Sequence, residues 1–366
     1  MEKLRIGIIG CGFIANGKHL PALKRYGELC EVIAFCDIKL ERAEKAKAEF
    51  GTAKSYACTD YQKLLDDKAI DVIHVCTPNV THCKITCGAL EAGKHVMCEK
   101  PMAITARESR TMLETAKRTG KKLTIGYQNR FRDDAIFLRK AVDDGRLGEI
   151  YYAQAHAVRR RCVPTWGVFT DKALQGGGPL IDLGTHALDL TLWYMNNYDV
   201  DSVTGSVFYK MADKFEANLC GPWDPAKYEV EDSAFGFIKM KNGATINLYA
   251  SWVLNTLDAR EACTTLCGKE GGAEMRMDEN QYSCILNYTE GGKLTQSSPN
   301  FKEGIMFGPG IAPESPGDRE AKQWLHAILD NKEPLVKPEQ ALVVTQVLES
   351  IYQSAAANQQ LKWGDK

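Results

Sequence analysis

The sequence predicts an α/β protein in two parts: an N-terminal doubly wound parallel sheet, then an α+β part with an open, largely antiparallel mixed sheet. Three observations predict it. A glycine-rich turn, Gly10-Cys11-Gly12-Phe13-Ile14-Ala15, stands between an apolar run and a helical pattern. Strand-like and helix-like segments then alternate up to residue 125, which implies parallel strands joined by helices. Beyond that point strands follow one another with few helices between, as in antiparallel sheets. A length of 366 residues suits two domains, read here as 1–125 and 126–366.

Composition narrows the function classes. Hydrophobic residues make up 44% and charged residues 25%, ordinary values for a globular chain. The net charge of −1 and the lack of any like-charged block speak against a nucleic-acid partner. No apolar run approaches the ~18 residues of a membrane span, and MEKLRIGIIGCG lacks the apolar core and cleavage site of a secretory signal. The thirteen cysteines are scattered, with no C-x-x-C. Cys36, Cys76 and Cys98 lie in apolar runs, where a thiol acts as a small hydrophobe. Neither His82, Cys83 and Cys87 nor Cys263 and Cys267 complete a zinc spacing, so no metal is expected. Free thiols in this number point to a reducing cytoplasm.

Residues 4–9 form an isoleucine-rich strand that ends in G-x-G-x-x-A. The first glycine permits a tight turn, the second a close approach of backbone to a pyrophosphate, and Ala15 a close packing of helix on strand. The helix N-terminus then offers N–H groups to phosphates. A second strand, 31–36, ends at Asp37, placed to accept hydrogen bonds from adenosine ribose hydroxyls. Asp37 would repel a 2′-phosphate, and Lys39 and Arg42 offset that only in part, so NAD is favoured over NADP. Helices follow at 40–50 and 61–65, a strand at 71–76, a helix at 83–92, a strand at 95–98, a helix at 107–119 and a strand at 122–125. Ligands of such sheets sit outside the carboxyl ends of the strands. The turns at Gly10–Ala15, at Thr77-Pro78-Asn79 and at Glu99-Lys100-Pro101 all lie on that edge, and Ile38 and His82 border it.

The second part opens with a helix at 134–144 and a strand at 149–158. Arg159, Arg160 and Arg161 follow, an anion site or, more simply, a solvated strand end. Trp166 lies in a proline-bracketed loop at 162–169, where an indole suits either a sugar ring or a core position. Strands are expected at 203–210, 233–240, 244–251, 262–267, 282–287 and 293–296, with a hairpin at Asn242-Gly243. Residues 301–316 read as a loop, and helices at 318–329 and 339–357 close the chain.

The stretch 176–194, GGGPLIDLGTHALDLTLWY, is the most unusual. At about 100° per residue, Asp182, His186 and Asp189 fall on one stripe with apolar residues on both flanks. A buried carboxylate–imidazole–carboxylate line is costly unless its members are paired or employed. Both a structural polar cluster and a catalytic site satisfy that condition.

With GCGFIA at 10–15, TPN at 77–79, AGKHVMCEKP at 92–101 and GGGPLIDLGTHALDL at 176–190, the chain resembles the glucose–fructose oxidoreductase/inositol dehydrogenase/MocA (Gfo/Idh/MocA) family of NAD(P)-dependent sugar oxidoreductases. The resemblance implies a Rossmann domain and a C-terminal sheet whose exposed face joins subunits into a dimer or tetramer. It implies Lys100, Asp182 and His186 as catalytic residues. His186 would be the general base, Lys100 would stabilise the alkoxide and Asp182 would orient or balance the histidine. Asn129, in GYQNRF, falls where the family contacts nicotinamide or substrate. The cofactor set is then Gly10, Gly12, Phe13, Ile14, Ala15, Asp37, Ile38, Thr77, Pro78, Asn79, His82, Glu99, Lys100 and Asn129. Substrate candidates are Lys100, Asn129, Arg159, Trp166, Asp182 and His186, while Asp189 lies outside the motif.

The chemistry stands without the family. Oxidising an alcohol near neutral pH needs a base, which histidine supplies, and positive charge where the oxyanion develops. The leading expectation is an NAD-dependent dehydrogenase of a sugar, cyclic polyol or glycoside. One alternative is an enzyme that keeps NAD bound and oxidises a glycoside, for example at C3, to allow cleavage or passes hydride to a second sugar. Another is a non-catalytic cofactor-binding protein, which the intact Lys100, Asp182 and His186 disfavour.

Overall fold

The computed structural model describes residues 3–278, 281–299, 301 and 313–364. Most of the loop expected at 301–316 lies outside the described residues. Two compact units are present, Met1–Phe131 with Ala312–Leu342, and Arg132–Ile311 with Val343–Lys366.

In the first unit the elements are β1 (Leu4–Ile9), α1 (Leu20–Arg25), β2 (Cys30–Cys36), α2 (Leu40–Phe50), β3 (Tyr56–Cys58), α3 (Gln62–Asp66), β4 (Val72–Val75), α4 (His82–Glu91), β5 (His95–Cys98), α5 (Ala106–Thr119) and β6 (Leu123–Ile125). The six strands are parallel, in the order β3-β2-β1-β4-β5-β6. The order reverses between β1 and β4, which opens a crevice at the carboxyl ends of these strands. β1 and β4 bury nearly every side chain, as expected of a parallel sheet covered on both faces. α5 begins with a capping box, Thr105 with Glu108, which satisfies two orphan amides of its first turn.

The second unit contains α6 (Asp133–Asp143), β7 (Ile150–Val158), α7 (Lys172–Gln175), α8 (Thr185–Met195), β8 (Val200–Phe208), β9 (Ser233–Met240), β10 (Thr245–Ser251), β11 (Cys263–Gly268), β12 (Gly271–Asp278), β13 (Gln281–Glu290) and β14 (Lys293–Ser297). α9 (Pro316–Leu329), α10 (Pro338–Ala357) and β15 (Leu361–Lys362) complete the chain. The sheet runs β14-β13-β12-β11-β7-β10-β9-β8-β15. Its described pairs are antiparallel except β7 with β10, the mixed sheet that was expected. The Asn242-Gly243 hairpin joins β9 to β10, with Gly243 at φ 89°.

Three strands, β3, β12 and the two-residue β15, were not anticipated. β3 has three residues on a sheet edge. β12 opens with Gly271-Gly272, which reads locally as a turn, and only pairing with β11 and β13 makes it a strand.

The division also differs from the expected split at residue 125, because α9 belongs to the first unit and the boundary falls within α10. The reason is packing. Trp324 and Leu325 of α9 are fully buried in one cluster with Ile6, Ile8, Leu20, Leu23 and Phe35. Truncating Trp324 to Ala should therefore destabilise the first unit by about 3–5 kcal/mol. Urea unfolding followed separately in each unit would show it, and a loss confined to the second unit would contradict this packing.

Candidate functional site

In the first unit the candidate cofactor site is the carboxyl edge of the parallel sheet. β1 ends at Gly10, whose φ is 94°. A Cβ there would stand 2.4 Å from the Cys76 carbonyl oxygen, so only glycine lets β1 and β4 end side by side. At Gly12 a Cβ would meet nothing within 4 Å, so the turn is open on that side. Asn16 Nδ2 donates to the Cys11 and Gly12 carbonyls, each at 2.8 Å, and holds the loop. A wide π turn, Ala15–His19, then leads into α1.

Asp37 sits at the end of β2. Its Oδ2 accepts the Cys11 N–H and its Oδ1 the Lys39 N–H, both at 2.9 Å. A carboxylate has about four acceptor positions, so ribose hydroxyls can still be bound. Phe13 and Ile38 are 79% and 88% exposed on this edge, apolar surface of the kind that lines cofactor sites. An open glycine turn, a helix start and an acceptor at the strand end fit a dinucleotide.

The next two turns are tied to each other. Thr81 Oγ1 donates to Thr77 Oγ1 at 2.7 Å and lies 2.8 Å from the Pro78 carbonyl. Asn79 opens a 3₁₀ turn, Asn79–Thr81. His82 is fully buried, with Nδ1 2.8 Å from the Pro101 carbonyl and Nε2 2.9 Å from that of Thr77. Its ring therefore bridges the turns after β4 and β5. Asn129 lies in the half-turn Gln128–Phe131 just past β6.

Glu99 also faces inward. Its Oε1 takes Lys18 Nζ at 2.5 Å and His19 Nε2 at 2.7 Å, and its Oε2 accepts the backbone N–H of Lys100 at 3.2 Å. Lys18 Nζ reaches Glu320 of α9 at 2.9 Å, and His19 Nδ1 lies 3.0 Å from His74 Nδ1. Burial pushes the Lys18 ammonium down, but Glu320 and Glu99 together outweigh it and hold it above its usual value. Burial raises Glu99, but Lys18 and then His19 bring it well below the ordinary carboxylate range. Burial lowers His19, and lowers His74 well below the ordinary imidazole value. Burial pushes Glu320 up to about 7, with Lys18 offsetting it only in part. One ammonium does not neutralise two buried carboxylates, and Glu99 has the larger share.

In the second unit the candidate residues lie on the helix expected at 176–194. It starts later and differently. Residues Leu180–Gly184 form a π turn, and the α-helix proper is Thr185–Met195. The uniform spacing assumed for Asp182 and His186 therefore does not hold, since a π turn is wider than an α turn; such turns are frequent at functional sites. Every side chain from Thr185 to Tyr194 is buried, His186 and Asp189 included.

The glycines before the helix are set by close approach. A Cβ on Gly177 would lie 2.1 Å from the Tyr352 hydroxyl, and one on Gly178 would lie 2.2 Å from the Glu231 carbonyl. Glu231 accepts the N–H groups of Gly178 at 2.8 Å and Leu180 at 3.1 Å, and the Tyr352 hydroxyl at 2.7 Å. A buried carboxylate thus caps the start of the helix. Asp182 Oδ2 accepts the Trp252 indole N–H at 3.1 Å. Neither Glu231 nor Trp252 is among the residues that the sequence singles out. A buried-looking acid just before β9 was the available signal for the first, and nothing marked the second.

Arg159 is held in a structural pair. Its guanidinium donates to Glu261 at 2.6 and 2.8 Å and to the Cys162 carbonyl at 3.2 Å, so an anion site there is not what the geometry supplies. Trp166 is 46% exposed, edge to face with Phe169, not a core residue. Against the expectation of free thiols throughout, Cys162 and Cys220 are joined in a disulfide, while cysteines such as Cys36, Cys76 and Cys98 are free and buried. Among the described residues no group of three or more His, Cys, Asp or Glu is placed to hold a metal ion, and no helix is long and apolar enough to cross a membrane.

Known proteins match along the whole chain. Residues 4–127 match the Gfo/Idh/MocA oxidoreductase family model with an NAD-binding Rossmann fold, and residues 136–274 match the model of that family's C-terminal domain. A D-glucoside 3-dehydrogenase of Escherichia coli K12 is 36% identical over 97% of this chain and 96% of its own. The chain belongs to the Gfo/Idh/MocA family. It is an oxidoreductase, and NAD is the cofactor of its Rossmann domain. An inositol 2-dehydrogenase of Salmonella typhimurium LT2 is 26% identical over 74% of each chain. The fold is also that of levoglucosan dehydrogenase in complex with NADH and levoglucosan, at a TM-score of 0.84 and 20% identity over 100% of each chain.

The Lys18–Glu99–Glu320 cluster makes this Gfo/Idh/MocA protein's stability depend on pH in a definite sense. Glu320 has a folded pKa of about 7 against an ordinary value of 4.5. Its contribution is complete below pH 4.5 and is lost as pH rises through 7. Glu320→Gln keeps the shape and stays neutral. It should match the parent at pH 4.5 and exceed it by roughly 1–3 kcal/mol above pH 7. Urea titrations at pH 5 and pH 8 check this; a difference that does not grow between them would refute it.

Proposed function

We propose that this protein is an NAD-dependent dehydrogenase that oxidises a secondary hydroxyl of a glycoside or related sugar to the ketone. The observation that carries the reading is the near full-length likeness to a D-glucoside 3-dehydrogenase in a chain that keeps Lys100, Asp182 and His186. Glycosides stand ahead of free inositols because the inositol dehydrogenase is the more distant relative.

Bound NAD supplies the hydride acceptor. His186 takes the proton from the substrate hydroxyl as general base. Lys100 places positive charge at the developing alkoxide oxygen. Asp182 orients the imidazole and balances the charge it gains. Asp37, in the acceptor position of β2, favours NAD over NADP because a 2′-phosphate beside it would be repelled. Trp166 offers its exposed face to the sugar or its aglycone.

The test is reduction of NAD at 340 nm with methyl and aryl glucosides, free aldoses and inositols. Glucosides should turn over fastest, and His186→Ala and Lys100→Ala should each lower kcat by about 10²–10⁴-fold. Inertness of the whole panel, also in reverse with keto-sugars, would defeat the reading, and a variant within a few-fold of the parent would defeat the role given to that residue.

We infer as well that the chain self-associates through the outward face of its large sheet. Phe208 and Phe237 are exposed there on β8 and β9, apolar side chains of the kind that mark an interaction surface. Light scattering should report a dimer or tetramer that Phe237→Lys weakens, and a monomer at high concentration would rule this out.

A further inference from the structure

We propose that Trp252 is a positioning residue of Asp182, acting through an indole–carboxylate hydrogen bond. The inference rests on the catalytic reading of Asp182 given above. Trp252 follows the last residue of β10 and is fully buried. Its Nε1–H donates to Asp182 Oδ2 at 3.1 Å.

Three features make this more than a chance contact. First, Asp182 lies within the π turn Leu180–Gly184 rather than in the α-helix. The backbone of that turn is fixed from outside by Glu231, through the amides of Gly178 and Leu180, but those bonds do not orient the Asp182 side chain. A carboxylate that must face a reacting imidazole needs its own restraint.

Second, the Trp252 backbone is pinned from two elements. Its N–H donates to the Asp232 carbonyl at 3.2 Å, and its carbonyl accepts the Cys162 N–H at 3.0 Å. Cys162 is itself held, by the disulfide to Cys220 and by Arg159 on its carbonyl. β9 and β10 pair Ser233 with Ser251, so Glu231, Asp232 and Trp252 emerge together at one end of a rigid hairpin. The helix start and the Asp182 carboxylate are thus gripped from the same hairpin end.

Third, the chemistry of the donor is one-sided. An indole N–H donates and never accepts. A fully buried indole aimed at a carboxylate therefore holds one rotation of it. Serine, histidine or water in that place would allow either direction of hydrogen bonding.

The experiment is a double-mutant cycle on the glucoside that turns over best: the parent, Trp252→Phe, Asp182→Asn and both together. Melting temperature and NAD affinity by fluorescence are measured on each. Trp252→Phe should lower kcat about ten-fold or more and leave NAD affinity unchanged. In the Asp182→Asn background the same change should alter kcat by less than about two-fold. Equal losses in both backgrounds would show that Trp252 acts by packing and would overturn the proposal, as would a parent-like kcat for Trp252→Phe. Should Trp252→Phe fail to fold, benzothienylalanine at position 252, which replaces only the N–H by sulfur, takes its place with the same expectations. If Asp182→Asn keeps the parent rate, the catalytic reading of Asp182 fails first. If Asp182→Asn is slow and the Trp252 variants are not, only this proposal fails.

Discussion

The first unit depends on one electrostatic constraint: Glu99 is a buried carboxylate that must stay charged. It sits where β5 ends, and burial alone would neutralise it. Lys18 and His19 prevent that from the segment after the glycine turn. Because Glu99 is charged and fixed, it can accept the Lys100 amide and so define the turn that presents Lys100. The same ammonium reaches Glu320, which ties α9, near the end of the chain, to the loop where the chain begins. His82 then binds the Pro101 turn to the Thr77 turn. Each connection on the cofactor edge passes through a buried polar group, and such groups are costly unless all are satisfied together.

The second unit solves a similar problem with different parts. Its catalytic candidates lie on a π turn, Asp182, and on a helix buried on every side, His186, so packing and hydrogen bonds must orient them. Glu231 plays toward the helix start the part that Glu99 plays toward Lys100, a buried acid that accepts backbone amides and fixes where a chain segment begins. Burial pushes Glu231 up, and the Gly178, Tyr352 and Leu180 donors only partly offset this. Three neutral donors are a weaker counterweight than the ammonium on Glu99. The adjoining glycines follow from this arrangement, since side chains at 177 and 178 would collide with Tyr352 and with Glu231 itself.

Much of this was legible in the sequence, and the pattern of misses is physical. The parallel sheet, its turns and the Asn242-Gly243 hairpin are local signals: a strand pattern of one length, a glycine where φ is positive, a helix between. Those survive without tertiary information. β12 did not, because its glycines read as a turn until β11 and β13 pair with it. α9 was placed with the wrong neighbours because Trp324 and Leu325 announce only that they are buried, not where. The π turn at Leu180–Gly184 was invisible because a stripe drawn at constant angle assumes that every turn is an α turn. Glu99 was legible as part of a turn but not as the centre of an ion cluster, since Lys18 and Glu320 are 302 residues apart.

The same limit explains why the candidate residues separate by the partners they hold. Arg159 carries a charge that sequence alone can offer to a substrate, yet both forks of its guanidinium are occupied by Glu261 and the Cys162 carbonyl. His82 has two ring nitrogens that sequence can offer to a cofactor, yet both meet carbonyls. Neither is idle: Arg159 steadies the segment that pins Trp252, and His82 joins two cofactor turns. In a fold whose reacting groups must be few and well aimed, most polar residues near them are needed as restraints. A charged or ring-bearing residue in the right stretch of sequence is thus more often a holder of the reacting group than the reacting group itself. The partner that a side chain already has is what tells the two apart.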